Sequence, residues 1–149
     1  MFSSETIELD VMTASQDDLF RLIAEKLQGL GYVNSDYLEA LTKRESVFPT
    51  GINTPVCGLA IPHTESDYIE KQGIAFVRLK ETIRFKEMVS NDPVDVKMLF
   101  FLLVKNKAEQ VKFLSDLMGK FSDDAFLTAL LVGKDESAIL ETLNERKVV

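Results

Sequence analysis

The amino-acid sequence predicts an α/β fold in which helices cover both faces of one sheet. Segments with the pattern of strands are interleaved along the chain with segments that repeat apolar residues at helical spacing. One strand-length run, Met98–Val104, is apolar at every position. Since a strand with one face in water would alternate, this run indicates a central strand with helices on both sides. Together these observations predict a single three-layer α/β/α domain over residues 1–149.

The first third of the chain predicts one strand and two helices. Polar and apolar residues alternate over Thr6–Val11, which favours a strand. Ser15 begins a capping-box pattern, and the helix that follows stops at two glycines. Asn34 or Ser35 caps a second helix, which ends near Arg44.

The remainder of the chain predicts further strands and three helices. β-Branched and aromatic runs of strand length are Gly73–Leu79, Ile83–Phe85 and Val94–Val104. Asn106 then opens a helix, and Ser122 and Asp135 cap two more. The residues expected to face inward on the first of these helices are Val111, Leu114, Leu117 and Phe121.

The single histidine of the chain, His63, ends an apolar run that begins at Gly58 and follows a segment rich in turn residues. Pro62 has a fixed φ and pushes Ile61 toward extended geometry, so a short strand presents one imidazole at its carboxyl end. Such an imidazole is a candidate nucleophile or proton acceptor. On residue type alone, the alternative is a half-buried histidine that donates one hydrogen bond.

Arg44 lies upstream of the histidine, at the end of the predicted second helix. From its position alone, the alternative role is a cation that interacts favourably with the helix dipole. The hydroxyls between Arg44 and the residue after the histidine belong to Ser46, Thr50, Thr54 and Thr64. A planar guanidinium, loop hydroxyls and glycine amides are the groups that a transferable phosphoryl group needs around it.

The runs Arg44–Gly51 and Gly58–Thr64 resemble, in sequence and in order, the signature of a known family. It comprises the enzyme IIA domains of the fructose/mannitol class of the bacterial phosphoenolpyruvate-dependent sugar phosphotransferase system. The Phe-Pro-Thr-Gly form of the first run is similar to the galactitol-type branch. The resemblance extends from about Asp17 to about Leu143, and it implies a mixed sheet with the histidine in a shallow surface depression.

The resemblance places Gln110 where many mannitol-type and fructose-type members have a second histidine. Galactitol-type members are similar to this chain in that respect. A glutamine amide can donate to a phosphoryl oxygen or orient the His63 ring, but it carries no charge.

The resemblance implies a phosphotransferase that needs no cofactor. His63 would accept a phosphoryl group from the small carrier protein HPr and pass it to a cysteine of a cognate enzyme IIB, with the membrane enzyme IIC downstream. Arg44 and Thr50 would stabilise the group in transit. One alternative is a regulatory domain of the same fold, whose phosphorylation state is read by a protein partner. Another is a binding module that has lost phosphorylation.

A transient partner surface around the histidine is expected to be exposed and fairly flat. Its candidate apolar contacts are Ile52, Val56 and Ile69, with Glu65 and Asp67 at the rim. Acidic residues there would steer a basic carrier. The alternative for all of them is an ordinary solvated loop.

Composition limits the remaining functions. The 149 residues include 24 acidic and 17 basic ones, and the net charge of −7 argues against non-specific nucleic-acid binding. The longest apolar run is too short to span a bilayer, so we expect no membrane insertion. One cysteine, Cys57, allows no intrachain disulfide, which fits the cytoplasm. One histidine and one cysteine fall short of a zinc site.

Overall fold

The computed structural model describes residues 2–145. Five strands form one sheet, and five α-helices pack around it. The strands are β1 (Ile7–Val11), β2 (Gly51–Asn53), β3 (Gly58–Ala60), β4 (Gly73–Lys86) and β5 (Pro93–Leu103). The helices are α1 (Gln16–Gly29), α2 (Tyr37–Val47), α3 (Lys107–Lys120), α4 (Asp124–Val132) and α5 (Glu136–Glu145). This element order confirms the predicted interleaving of strands and helices.

The sheet is mixed, as the resemblance implied. Its strand order is β1-β4-β5-β3-β2. β1 runs parallel to β4, and β3 runs parallel to β5. The β4–β5 and β2–β3 pairs are antiparallel. The parallel β3–β5 pair brings the carboxyl ends of those two strands to the same edge of the sheet.

β5 is the central strand, and its second half, from Met98 to Leu103, is buried on both faces. Leu99 and Phe101 belong to the apolar core beneath α1 and α2. Phe100 and Leu102 belong to a second core on the opposite face, formed with α3, α4 and α5. The prediction of a central strand within a three-layer α/β/α arrangement is therefore confirmed.

Helix α1 begins and ends where the sequence predicts. Ser15 Oγ accepts a hydrogen bond from the Asp18 N–H at 3.2 Å. At the other end Gly31 has a φ of +84°, a left-handed conformation that glycine adopts without a steric cost. The Tyr32 N–H then donates to the Leu27 carbonyl at 2.9 Å, which closes the end of the helix.

Two predicted helix caps are wrong by one or two residues. α2 begins after Asp36 rather than after Asn34 or Ser35. The Asp36 side chain makes no capping bond, and the Asn34 side chain accepts the Asp36 N–H in the turn that precedes the helix. α4 is capped by Asp123 rather than Ser122, since the longer carboxylate reaches a backbone N–H in the first turn. The predicted caps Ser15, Asn106 and Asp135 are confirmed.

The strand predictions differ from the structure in three places. The segments Gly73–Leu79 and Ile83–Phe85 are parts of one strand, β4, whose register against β5 is irregular between them. β2 lies in the turn-rich segment and was not predicted, because its three residues gain order by pairing with β3. The predicted strand Gly58–His63 ends at Ala60, although His63 still pairs with β5 as an isolated bridge.

Helix α3 buries its later turns and leaves its first turns in water. Leu117 and Phe121 are buried and Leu114 packs against the core, as predicted. Val111 is 68% exposed, so the prediction that it faces inward is wrong. The apolar repeat of the sequence therefore starts at Val111, about one turn before the part of α3 that packs on the sheet.

Arg78 is a buried cation that joins β4 to α4. Its side chain is 7% exposed and lies 3.2 Å from the Asp10 carboxylate. It also donates to the carbonyls of Leu130 and Gly133, at 3.0 and 2.7 Å. A cation is favourable at this end of a helix, where carbonyls lack partners within the helix.

We expect Gly58→Ala to lower the free energy of unfolding by about 1–3 kcal/mol, the usual cost of overpacking. A Cβ on Gly58 would lie 2.1 Å from the Asp95 carbonyl oxygen, so the backbone of β3 or β5 must move. The matched control is Gly29→Ala, where a Cβ meets nothing within 4 Å. Urea denaturation of both variants checks the prediction, and equal stabilities would contradict it.

Candidate active site

His63 lies at the edge of the sheet where β3 and β5 end. The Leu102 N–H donates to the Pro62 carbonyl at 3.1 Å, and His63 forms an isolated parallel bridge with Leu102. The chain therefore follows β5 for three residues beyond β3. This pairing fixes the backbone of His63 beside the end of β5.

The imidazole of His63 has one nitrogen fixed and one available. Nδ1 lies 2.7 Å from the Ile61 carbonyl oxygen. Because a carbonyl oxygen can only accept, Nδ1 carries the proton and the neutral ring keeps its lone pair on Nε2. Burial lowers the pKa of His63, the bond to Ile61 opposes that effect, and the charge of Arg44 lowers the pKa further. The site thus favours a neutral imidazole with a nucleophilic Nε2.

Arg44 is the cation whose charge lowers the pKa of His63. It lies in the last turn of α2, and its guanidinium carbon is 5.1 Å from the centre of the Phe48 ring. Its Nε is buried and has no acceptor among residues 2–145. A pocket of about 260 Å³ opens beside Arg44 and is lined also by Phe48, Thr64 and Tyr68. A guanidinium side chain that lines such a pocket suits an anionic oxygen.

The hydroxyls that the sequence placed near the histidine all donate within the protein. Ser46 bonds to the Lys43 carbonyl, Thr54 to the Cys57 carbonyl and Thr64 to the Glu65 carbonyl. Thr50 donates both its hydroxyl and its backbone N–H to the Glu45 carboxylate, each at 2.8 Å. Thr50 as a direct phosphoryl contact stays a prediction, and its observed bonds favour a positioning role.

Glu45 is a site residue that the sequence reasoning missed. It is 5% exposed and adjoins Arg44 in the last turn of α2. Burial raises its pKa, while the two bonds from Thr50 and the charge of Arg44 lower it. An acidic residue at the negative end of a helix dipole is unfavourable, and that mismatch is the sequence signal that could have identified Glu45.

Gln110 is brought to the histidine segment by the first turn of α3. Its Nε2 donates to the Thr64 carbonyl at 2.8 Å, one residue beyond His63. The amide oxygen of Gln110 makes no comparable bond among residues 2–145. Its predicted role in place of a second histidine remains a prediction, and the observed contact orients the segment that carries the imidazole.

The rim of the site differs from the expected one. Ile69 is buried, so the prediction that it contributes to a contact surface is wrong. Ile52 and Val56 are partly buried and pack against the core. Val47 and Phe48 are instead 60% and 59% exposed. The predicted acidic rim residues Glu65 and Asp67 are exposed.

Cys57 is a free, half-buried thiol. Burial raises the pKa of the half-buried Cys57 thiol, an effect that Lys97 opposes, so the thiol stays protonated at neutral pH. In the described part of the chain, no three His, Cys, Asp or Glu side chains are grouped to hold a metal ion. No helix described there has the length and apolar character that crossing a membrane requires.

Comparisons with known proteins agree on one family. The sequence model of the phosphoenolpyruvate-dependent sugar phosphotransferase system, EIIA 2, matches residues 1–146. The galactitol-specific EIIA component of Escherichia coli (strain K12) is 29% identical over 109 residues, 73% of this chain and 73% of that protein.

Solved structures share the fold. Nitrogen regulatory protein IIA-Ntr from Neisseria meningitidis is similar at 28% identity and a TM-score of 0.80, over 95% of each chain. Enzyme IIAMTL of Escherichia coli, solved in complex with phosphorylated enzyme IIBMTL, is similar at 23% identity and a TM-score of 0.81. That match covers 98% of this chain and 99% of the other.

We expect Arg44→Gln to raise the pKa of His63, because the substitution removes a positive charge that disfavours the imidazolium. Since the chain has one histidine, NMR titration of the ring carbons follows this group without ambiguity. Arg21→Gln removes an equal charge from the exposed face of α1 and serves as the control. A midpoint that stays constant or falls in Arg44→Gln would contradict the assignment.

Proposed function

The chain belongs to the EIIA 2 family of the phosphoenolpyruvate-dependent sugar phosphotransferase system, whose members pass phosphoryl groups between proteins, and we propose that His63 is the residue that carries the group. The observation that supports this most is the fixed Nδ1 of His63. Its bond to Ile61 directs the free Nε2 lone pair away from the backbone, in a ring influenced by the unpaired Arg44. A neutral imidazole is a competent nucleophile near pH 7 without a separate base.

The proposed step exchanges one nitrogen–phosphorus bond for another. The Nε2 lone pair of His63 forms a bond to phosphorus while the bond from phosphorus to the histidine of HPr breaks, and the HPr imidazole leaves with that electron pair. A cysteine thiolate of a cognate enzyme IIB then takes the group in the same way and releases Nε2. Neither step consumes a nucleotide, since the group is transferred intact.

Arg44 is proposed to stabilise the phosphoryl oxygens during transfer. Charge spreads over these oxygens as donor and acceptor line up, and a preorganised cation in a half-buried site acts strongly on it. Arg44 meets this need because its side chain lines the pocket and its planar group lies over the Phe48 ring. Thr50 and Gln110 act in this proposal mainly by fixing the segments on either side.

The galactitol-type branch is the proposed subgroup. This chain has Gln110 where the resemblance places a second histidine, and it is similar to a galactitol-specific EIIA component. We therefore propose a role in the uptake of a galactitol-like polyol, in which the membrane enzyme IIC completes the route. The domain extends over residues 1–149 in this proposal and works in the cytoplasm, without a cofactor and without nucleic acid.

The second candidate function is regulatory. The similarity to nitrogen regulatory protein IIA-Ntr, at 28% identity, favours it specifically. In that case His63 takes the same phosphoryl group, and a protein partner reads its presence. The two functions share the first step and differ in the acceptor, so transfer to a purified enzyme IIB distinguishes them.

We expect the purified chain, incubated with phosphoenolpyruvate, enzyme I and HPr, to gain one acid-labile phosphoryl group. His63→Ala should abolish the gain and keep the fold. Arg44→Ala should slow it about 10²-fold, the usual loss for a removed electrostatic donor, and Gln110→Ala should slow it less. Intact mass before and after acid treatment provides the measurement. No adduct under conditions that fully phosphorylate HPr would overturn the proposed function.

Val47 is expected to contribute to docking of the carrier. It is 60% exposed beside Arg44 and lines the pocket there. Val47→Ser should raise the KM for phospho-HPr about two- to tenfold and leave kcat unchanged, because it weakens binding without touching the reacting atoms. Val132→Ser, at a position 66% exposed on α4, is the matched control. Equal KM values for phospho-HPr in the two variants would contradict a contact between the carrier and Val47.

A further inference from the structure

Glu45 is a buried acidic residue at the carboxyl end of a helix, a position that disfavours its negative charge. It is 5% exposed, and it lies in the last turn of α2, where the helix dipole disfavours negative charge. The ion pairs of the described residues do not include it. A buried carboxylate without a paired cation costs stability unless its oxygens accept strong hydrogen bonds. Its position therefore calls for a reason beyond packing.

Both carboxylate oxygens of Glu45 are committed to one residue. Oε2 accepts the Thr50 N–H and Oε1 accepts the Thr50 hydroxyl, each at 2.8 Å. Thr50 is itself 4% exposed, so water does not compete for these bonds. Two bonds to one residue fix its orientation as well as its position. These two bonds, called here the Glu45–Thr50 clamp, join the end of α2 to the residue that precedes β2.

The clamp continues to the imidazole through two backbone carbonyls. The Thr50 carbonyl accepts the Ile61 N–H at 3.3 Å. The Ile61 carbonyl is the group that lies 2.7 Å from His63 Nδ1. A displacement of Thr50 therefore moves the carbonyl that selects the tautomer of His63. The same helix turn carries Arg44, so one anchor sets both groups.

We propose that Glu45 is a positioning residue for phosphoryl transfer, which holds His63 in the Nδ1–H tautomer through Thr50 and Ile61. The proposal rests on the proposed role of His63 as phosphoryl acceptor. Glu45 touches neither the imidazole nor the incoming group. Its effect comes from placing the Nε2 lone pair, and a misplacement of 1 Å at a reacting atom can cost about 10²-fold in rate.

The test reads the tautomer directly. Since the chain has one histidine, its ¹⁵N chemical shifts at a pH above the pKa report the fraction of each neutral form. Glu45→Gln keeps the shape of the side chain but removes its charge. Its amide nitrogen can only donate, so the bond with the Thr50 hydroxyl is lost or reversed and neither bond is charge-assisted. We expect the Nε2–H fraction to rise and the rate of phosphorylation by HPr to fall about tenfold, less than a full 1 Å misplacement costs.

Substitutions at Thr50 provide the controls. Thr50→Val removes the hydroxyl and should act like Glu45→Gln, whereas Thr50→Ser keeps both donors and should retain the wild-type tautomer and rate. Thr6→Val is the matched control for lost stability. It deletes a buried hydroxyl that donates to the Ile74 carbonyl at 3.1 Å, remote from β2 and β3. It should lower the unfolding temperature and leave the ¹⁵N shifts of His63 unchanged.

Wild-type tautomer fractions and rates in folded Glu45→Gln and Thr50→Val would overturn the proposal and leave Glu45 as a structural residue. If Glu45→Gln does not fold, Thr50→Val decides by the same readings. If the wild-type chain takes no phosphoryl group, the proposed function fails. The tautomer fractions of the variants then decide the positioning role by themselves, so the two failures are distinguishable.

Discussion

The parallel pairing of β3 with β5 places His63 where the two helical layers meet. Leu102, at the end of β5, bonds to Pro62 and aligns the histidine with the strand edge. Because β5 is covered on both faces, α2 reaches this edge from one side and α3 from the other. Arg44 and Gln110 arrive by these separate routes. A sheet covered on one face would have supplied only one of them.

The site combines a neutral imidazole with a guanidinium whose Nε has no acceptor among residues 2–145. Burial and the charge of Arg44 both keep the proton off Nε2 of His63. In the proposed function, a preorganised cation of the kind that Arg44 provides stabilises the charge that develops on a phosphoryl group.

Much of the fold and the central site residue could be predicted from the sequence. The two-sided apolar run identified β5, and the order of Arg44, Thr50 and the Pro62–His63 pair identified the family. The continuity of β4 was missed because it depends on pairing with another strand, and Glu45 was missed because no sequence pattern shows the hydrogen bonds that it accepts from Thr50. The pairing of β4 with β5 carries the chain across its polar stretch, and the role of Glu45 appears only when its hydrogen bonds to Thr50 are seen.

The contact between Phe48 and Arg44 makes the electrostatic field of Arg44 depend on whether a partner protein covers the Phe48 ring. The ring is 59% exposed, and the guanidinium lies 5.1 Å from its centre. A protein that covers this ring excludes water from one side of the cation. The attraction between charges grows as the local dielectric constant falls. In the proposed function, the field of Arg44 on a phosphoryl group would therefore strengthen while a partner is bound and weaken again when the partner leaves and solvent screens the charge.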